Sequence, residues 1–166
     1  MVPFFGILVG AVTVGATPLP PAGIWPLPKS STCGPGAGAS LSANYQLSAS
    51  GPGANTDVVA AALKRYKSIL LTPGTQAKAT DGTISKVTVT VTSADDSLSD
   101  TTDYSYTIRA DATRITATAA SPFGVAYALE SLSQLMEKGS LKCSTLTVDD
   151  TVRRFALDPH ACALCP

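Results

Sequence analysis

The stretch SPFGVAYALESLSQLMEKG, residues 121–139, constrains the fold more than any other part of the chain. Ser121 offers an N-cap hydroxyl, and Pro122 falls at the first helical position, where its missing N–H costs nothing. Val125, Leu129, Leu132, Leu135 and Met136 recur at helical spacing along one side, and Gly139 is read as the terminator. A helix with one apolar stripe must cover something.

What it covers is written just upstream. KVTVTVT, residues 86–92, alternates strictly: Val87, Val89 and Val91 share one face, and Thr88, Thr90 and Thr92 the other. DYSYTIR repeats the pattern with Tyr104, Tyr106 and Ile108 inward, and TRITATA places Ile115 and Ala117 on one side. The ADA link between these two strands suits a hairpin. An earlier helix starts at Asn55 or Thr56, carries Asp57 in its first turn, and lines up Val59, Leu63, Tyr66 and Leu70 before Thr72-Pro73-Gly74 stops it. A strand-like island near Tyr45–Leu47 and a final strand in STLTVDD complete a β-α-β-β-β-α-β order. The expected fold class is α+β, a small antiparallel sheet with two helices packed on one face.

The 166 residues suffice for one domain with a core. Net charge is zero and no basic run occurs, so the cationic stripe of a nucleic-acid binder is missing. The apolar run at residues 3–16 ends in Val14 and Ala16, small residues placed as before a signal-peptidase cut. It is too short for a comfortable bilayer span, so a buried strand or an anchor are the weaker alternatives and stable membrane insertion is not expected. Residues 1–16 are read as a signal peptide and 17–23, with Pro18, Pro20 and Pro21, as a linker. This points to the secretory pathway, whether lysosomal, vacuolar or extracellular. No Asn-x-Ser/Thr acceptor occurs. Four cysteines allow three pairings. Cys33–Cys143 would close a long loop and Cys162–Cys165 a short one, and the spacing does not choose.

Chemistry-bearing patterns are few. His160, Cys162 and Cys165 give three nitrogen and sulfur donors where structural zinc wants four, and no second Cys-x-x-Cys exists. Asp95, Asp96, Asp100 and Asp103 lack the glycine and closing glutamate of a calcium loop and read as a solvated connection. Asp149 and Asp150 are adjacent, but neighbours on a strand face opposite ways and cannot converge as an acid/base pair. CGPGAGAS lacks the lysine of a phosphate loop and reads as a flexible connector. Gly-x-Ser-x-Gly is absent. Trp25, among prolines in IWPLP, reads as a packing residue rather than a sugar platform. No catalytic, substrate-binding or metal residue is assigned, and no cofactor is expected.

The order of these pieces resembles a known family. IWPLP, the Val/Thr strand, DYSYTI, ITATAASPFGVAYALESLSQLM and LTVDDTVRRF are similar to the N-terminal, non-catalytic domain of eukaryotic-type β-N-acetylhexosaminidases, glycoside hydrolase family twenty. The likeness places that domain at residues 24–152, and residues 115–135 carry it most specifically. It implies an α+β domain ahead of a (β/α)8 barrel that removes terminal N-acetylglucosamine or N-acetylgalactosamine. The sugar's own acetamido oxygen attacks in this scheme, an exception to two-carboxylate glycoside hydrolysis. It also implies that Arg154 is structural and that one of Asp149 and Asp150 belongs to the junction with the barrel. A barrel needs about 250 residues, whereas eleven follow Phe155. Residues 153–166 therefore read as an aberrant tail, and the chain as a form without its barrel and without activity. The implied partners are that barrel in a longer product, or a protein covering the face left bare. The alternative is a stand-alone secreted interaction or glycan-binding module.

Overall fold

A computed structural model describes residues 23–71 and 84–151. The elements are β1 (Ser30–Cys33), β2 (Leu41–Ser50), α1 (Asp57–Ile69), β3 (Ile84–Val91), β4 (Tyr106–Ala110), β5 (Ile115–Ala119), α2 (Pro122–Leu135), β6 (Met136–Glu137), β7 (Ser140–Leu141) and β8 (Leu146–Asp150). Six strands form one sheet in the order β1-β8-β4-β5-β3-β2, and β6 pairs with β7 in a separate two-stranded ribbon.

The α+β layering is the expected one. The sheet is mixed: β1 with β8, β8 with β4 and β4 with β5 are antiparallel, while β5 with β3 and β3 with β2 are parallel. Connectivity explains the parallel pairs. Parallel neighbours need a crossover, which α1 supplies between β2 and β3. The connection 92–105 carries the chain past the slot that β5 fills, so only the β4–β5 hairpin turns back directly.

Register sorts the side chains. Val87, Val89 and Val91 are fully buried, in line with Ile115, Ala117 and Ala119 on β5 and Ala110, Ile108 and Tyr106 on β4. The opposite face carries two cross-strand rows: Thr32, Thr147, Arg109, Thr116, Thr88, Ser48 and Ser30, Asp149, Thr107, Thr118, Thr90, Ser50. One side of the sheet is thus dry and the other hydroxylated.

Both helices lie on the dry side. From α2, Val125, Ala128, Leu129, Leu132 and Leu135 are buried over β3, β4 and β5. From α1, Val59, Ala62 and Tyr66, with Leu70 just beyond its end, are buried against the same core. Ser121 caps α2 by accepting from the Gly124 N–H. Thr56 takes the α1 N-cap position, but its hydroxyl donates back to the Gly53 carbonyl instead.

Several local readings are revised. The island near Tyr45 belongs to the ten-residue β2, whose Ser/Ala content and register shift between Leu41 and Gln46 blur the alternation. α2 ends at Leu135; Met136 is extended, and Gly139, with φ +76°, turns the β6–β7 ribbon rather than stopping the helix. Tyr104 precedes β4 and is only half-buried. CGPGAGAS is tied down: Gly34 and Gly38 donate to the carbonyls of Thr145 and Leu141. A Cβ on Gly38 would lie 2.0 Å from the Cys143 carbonyl oxygen, so that approach requires glycine. Cys33 and Cys143 are joined by a disulfide across 110 residues.

Candidate interaction surface

The prominent surface feature is a strap, residues 23–29, laid over α2. Ile24 and Pro28 point inward and are buried, while Trp25 is 80% exposed and Leu27 77% exposed. The packing role expected for Trp25 is therefore not the one it has; its neighbours Ile24 and Pro28 do the packing. The amide of Gln134 holds the strap at two points. Its Oε1 accepts from the Trp25 N–H at 2.6 Å, and its Nε2 donates to the Trp25 carbonyl at 2.9 Å. The same Nε2 lies 3.3 Å from Glu130 Oε1, whose Oε2 accepts from the Tyr66 hydroxyl at 2.5 Å. A chain of polar contacts thus runs from α1 through α2 to the strap. Burial and the hydrogen bond to Glu130 push the Tyr66 hydroxyl up to about 12, so it is a permanent donor at physiological pH.

On α2, Phe123, Tyr127, Glu130 and Gln134 fall at helical spacing and form the outward stripe, about 16 Å long at the helical rise per residue. Tyr104 packs edge-on against both Phe123 and Tyr127, with ring centroids 6.3 and 5.5 Å apart. This second stripe was readable in the sequence as a half-polar helix face; the clamp on Trp25, spanning 109 residues, left no local signal.

The far end of the sheet holds a buried polar knot. The Tyr106 hydroxyl and Ser131 Oγ are 2.6 Å apart. Asp150 sits beside Tyr106 on the dry face, 6% exposed, while Asp149 faces the hydroxylated side. The two carboxylates diverge, as expected of strand neighbours. Burial pushes the Asp150 carboxyl above the usual aspartate range, opposed by the Lys29 backbone N–H and the Tyr106 hydroxyl. Burial also raises Tyr106 to about 12.

The remaining candidates do not converge on chemistry. Asp95 accepts from the Ser97 N–H and hydroxyl, which hold its carboxyl below the usual range, and Asp103 accepts from the Ser105 N–H. Both serve turns of their own connection, beside a hydroxyl-lined hollow of about 340 Å³; Asp96 and Asp100 are exposed. Among the described residues no three metal-ligating side chains cluster, and no helix is long and apolar enough to cross a membrane. Residues 1–16, Thr72–Gly74, Arg154, His160, Cys162 and Cys165 lie outside the described residues.

Comparison with known proteins places this architecture. Residues 24–135 match the model of the family described as beta-acetyl hexosaminidase like. Among solved structures the chain is similar to Flavobacterium johnsoniae chitobiase (TM-score 0.59, 21% identity, 78% of this chain and 20% of that one) and to CpGH84B (TM-score 0.51, 17% identity, 76% and 22%). It also matches a beta-N-acetylhexosaminidase from Bacteroides fragilis (TM-score 0.49, 21% identity, 76% and 24%). The chain spans about a fifth of the length of the first of these. No curated protein matches it. With the family model covering the strap, both helices and five of the six main strands, the chain belongs to the beta-acetyl hexosaminidase-like family, as an N-terminal domain of the glycoside hydrolase family twenty type.

Proposed function

We propose that this chain is the non-catalytic N-terminal module of a secretory-pathway β-N-acetylhexosaminidase whose catalytic barrel is encoded in a longer product. That product would remove terminal N-acetylglucosamine or N-acetylgalactosamine from glycoconjugates. The observation that carries the reading is the family match over residues 24–135. It is supported by where the described carboxylates lie: Asp95 and Asp103 serve turns, Glu130 a contact between the helices and Asp150 a buried knot, while Asp149 and Asp150 diverge. The apolar run at 3–16 would direct the chain into the secretory route.

A chromogenic N-acetylglucosaminide tests the catalytic half of the reading: the purified chain is expected to release no chromophore, and turnover would overturn it. Transcript reading across codon 155 tests the other half. A downstream barrel frame supports the proposal. A true stop with a stable monomer favours a stand-alone interaction or glycan-binding module, for which the exposed Trp25 and Leu27 are the motivating observation.

A further inference from the structure

We propose that the open edge of β2 is a docking site for an extended acidic segment of a partner protein. The segment adds to the sheet as one more strand and sets its carboxylates against Lys64 and Lys67 of α1. This is independent of the functional reading above.

Three observations support it. The first is an edge without the usual guards. The sheet order β1-β8-β4-β5-β3-β2 leaves two ends. β1 is only four residues long, and short edge strands are one way a protein blunts an edge. β2 runs for ten residues, LSANYQLSAS, with no charge and no proline. Its register shift lies between Leu41 and Gln46, and its first residue is already engaged, since the Leu41 N–H donates to the Gly139 carbonyl. From Gln46 to Ser50 the pairing with Lys86–Thr90 is unbroken, and among the described residues no backbone group outside β3 bonds to these five. A regular strand paired on one side only offers its outward N–H and C=O groups to an incoming strand.

The second is an unfinished apolar seam. Leu47 and Ala49 stand in register with Val87 and Val89, which are fully buried, yet they are themselves only half-buried. Leu63 of α1 is half-buried against the same core. One more strand covers this seam with its own helix-facing side chains.

The third is charge, and it selects the occupant. Tyr66 reaches Glu130 of α2, so its side of α1 faces that helix. At 3.6 residues per turn Ala60, Leu63, Lys64 and Lys67 fall on the opposite flank, toward the edge of the sheet. Tyr45 of β2 fixes the overlap, its hydroxyl donating to the Lys67 carbonyl at 2.9 Å. Lys64 and Lys67 are exposed, with no carboxylate in salt-bridge reach among the described residues. Two such cations beside an open strand favour a segment that carries carboxylates. They also oppose a second copy, because pairing β2 with another β2 brings two cationic flanks together.

The probe is a fluorescein-labelled heptapeptide in which threonines alternate with glutamate, valine and glutamate, so that the last three share one face of a strand. Its anisotropy is titrated with the 166-residue chain, and hydrogen exchange of the chain is read with and without peptide. The expected result is salt-sensitive binding, with protection gained within Gln46–Ser50, and no binding of the same peptide carrying lysine for glutamate. Lys64→Gln with Lys67→Gln should weaken binding about tenfold, as expected for two exposed ion pairs at the upper end of their usual strength. Absence of binding, equal binding of the two peptides, protection confined to other segments, or an unchanged affinity in the double variant overturns the proposal. Protection of Gln46–Ser50 that grows with the concentration of the chain alone identifies a second copy as the occupant and overturns it too.

Discussion

Asp150 is a carboxylate that folding makes harder to ionise. Its pKa in the folded chain is raised by burial, so the native state holds this proton to higher pH than the unfolded chain does. Stability from this group is complete below the ordinary aspartate range and is lost as pH rises through the raised value. Asp150→Asn, which keeps the shape and removes the charge, should flatten the fall in urea midpoint across that window relative to the parent chain. An unchanged pH profile would show that water reaches the carboxylate after all. The divergence of Asp149 and Asp150 was legible in the sequence, because strand geometry alone dictates it. The depth at which Asp150 sits was not, since Tyr106, Ser131 and Lys29 come from three distant segments. Trp25 shows the same limit: prolines mark its segment as rigid, but only the placement of Gln134 decides which residues point out.

At the scale of elements, α2 is seated by a glycine. A Cβ on Gly124 would lie 3.0 Å from the Ser105 carbonyl oxygen, 3.2 Å from that of Tyr104 and 3.3 Å from the Ala119 Cβ. The Ser105 carbonyl already accepts from the Ala120 N–H, so it is not free to move aside. Gly124→Val should cost about 1–3 kcal/mol by overpacking, read as a lower midpoint in chemical denaturation. A neutral outcome would mean that the first turn of α2 can lift off the sheet. The elements were legible where period and chemistry agree: the Val/Thr alternation of β3, the β4–β5 hairpin, and the Ser121–Pro122 start of α2. They were obscured where they do not. β1, β6 and β7 are four residues or fewer and have no pattern of their own. The parallel pairing of β3 is a property of connection paths, which local alternation does not record.

At the scale of the molecule, the sheet is closed at one end by covalent chemistry. The Cys33–Cys143 disulfide spans 110 residues, from β1 to the approach to β8. By chain entropy alone a loop of that size contributes about 4–5 kcal/mol. Replacing both cysteines by serine should therefore remove a large part of the stability of so small a domain, seen as a marked drop in the guanidinium midpoint. Little change would show that the unfolded chain is held together by other means. The pairing was one of three the sequence allowed. Choosing it requires knowing that β1 and β8 lie side by side.

One last consequence follows from where the aromatic residue of the strap sits. The chain has a single tryptophan, and it stands at the water boundary rather than in the core. Its emission therefore says almost nothing about global melting and nearly everything about the few residues around it, so the native molecule carries a built-in, label-free optical sensor of whatever settles against that edge.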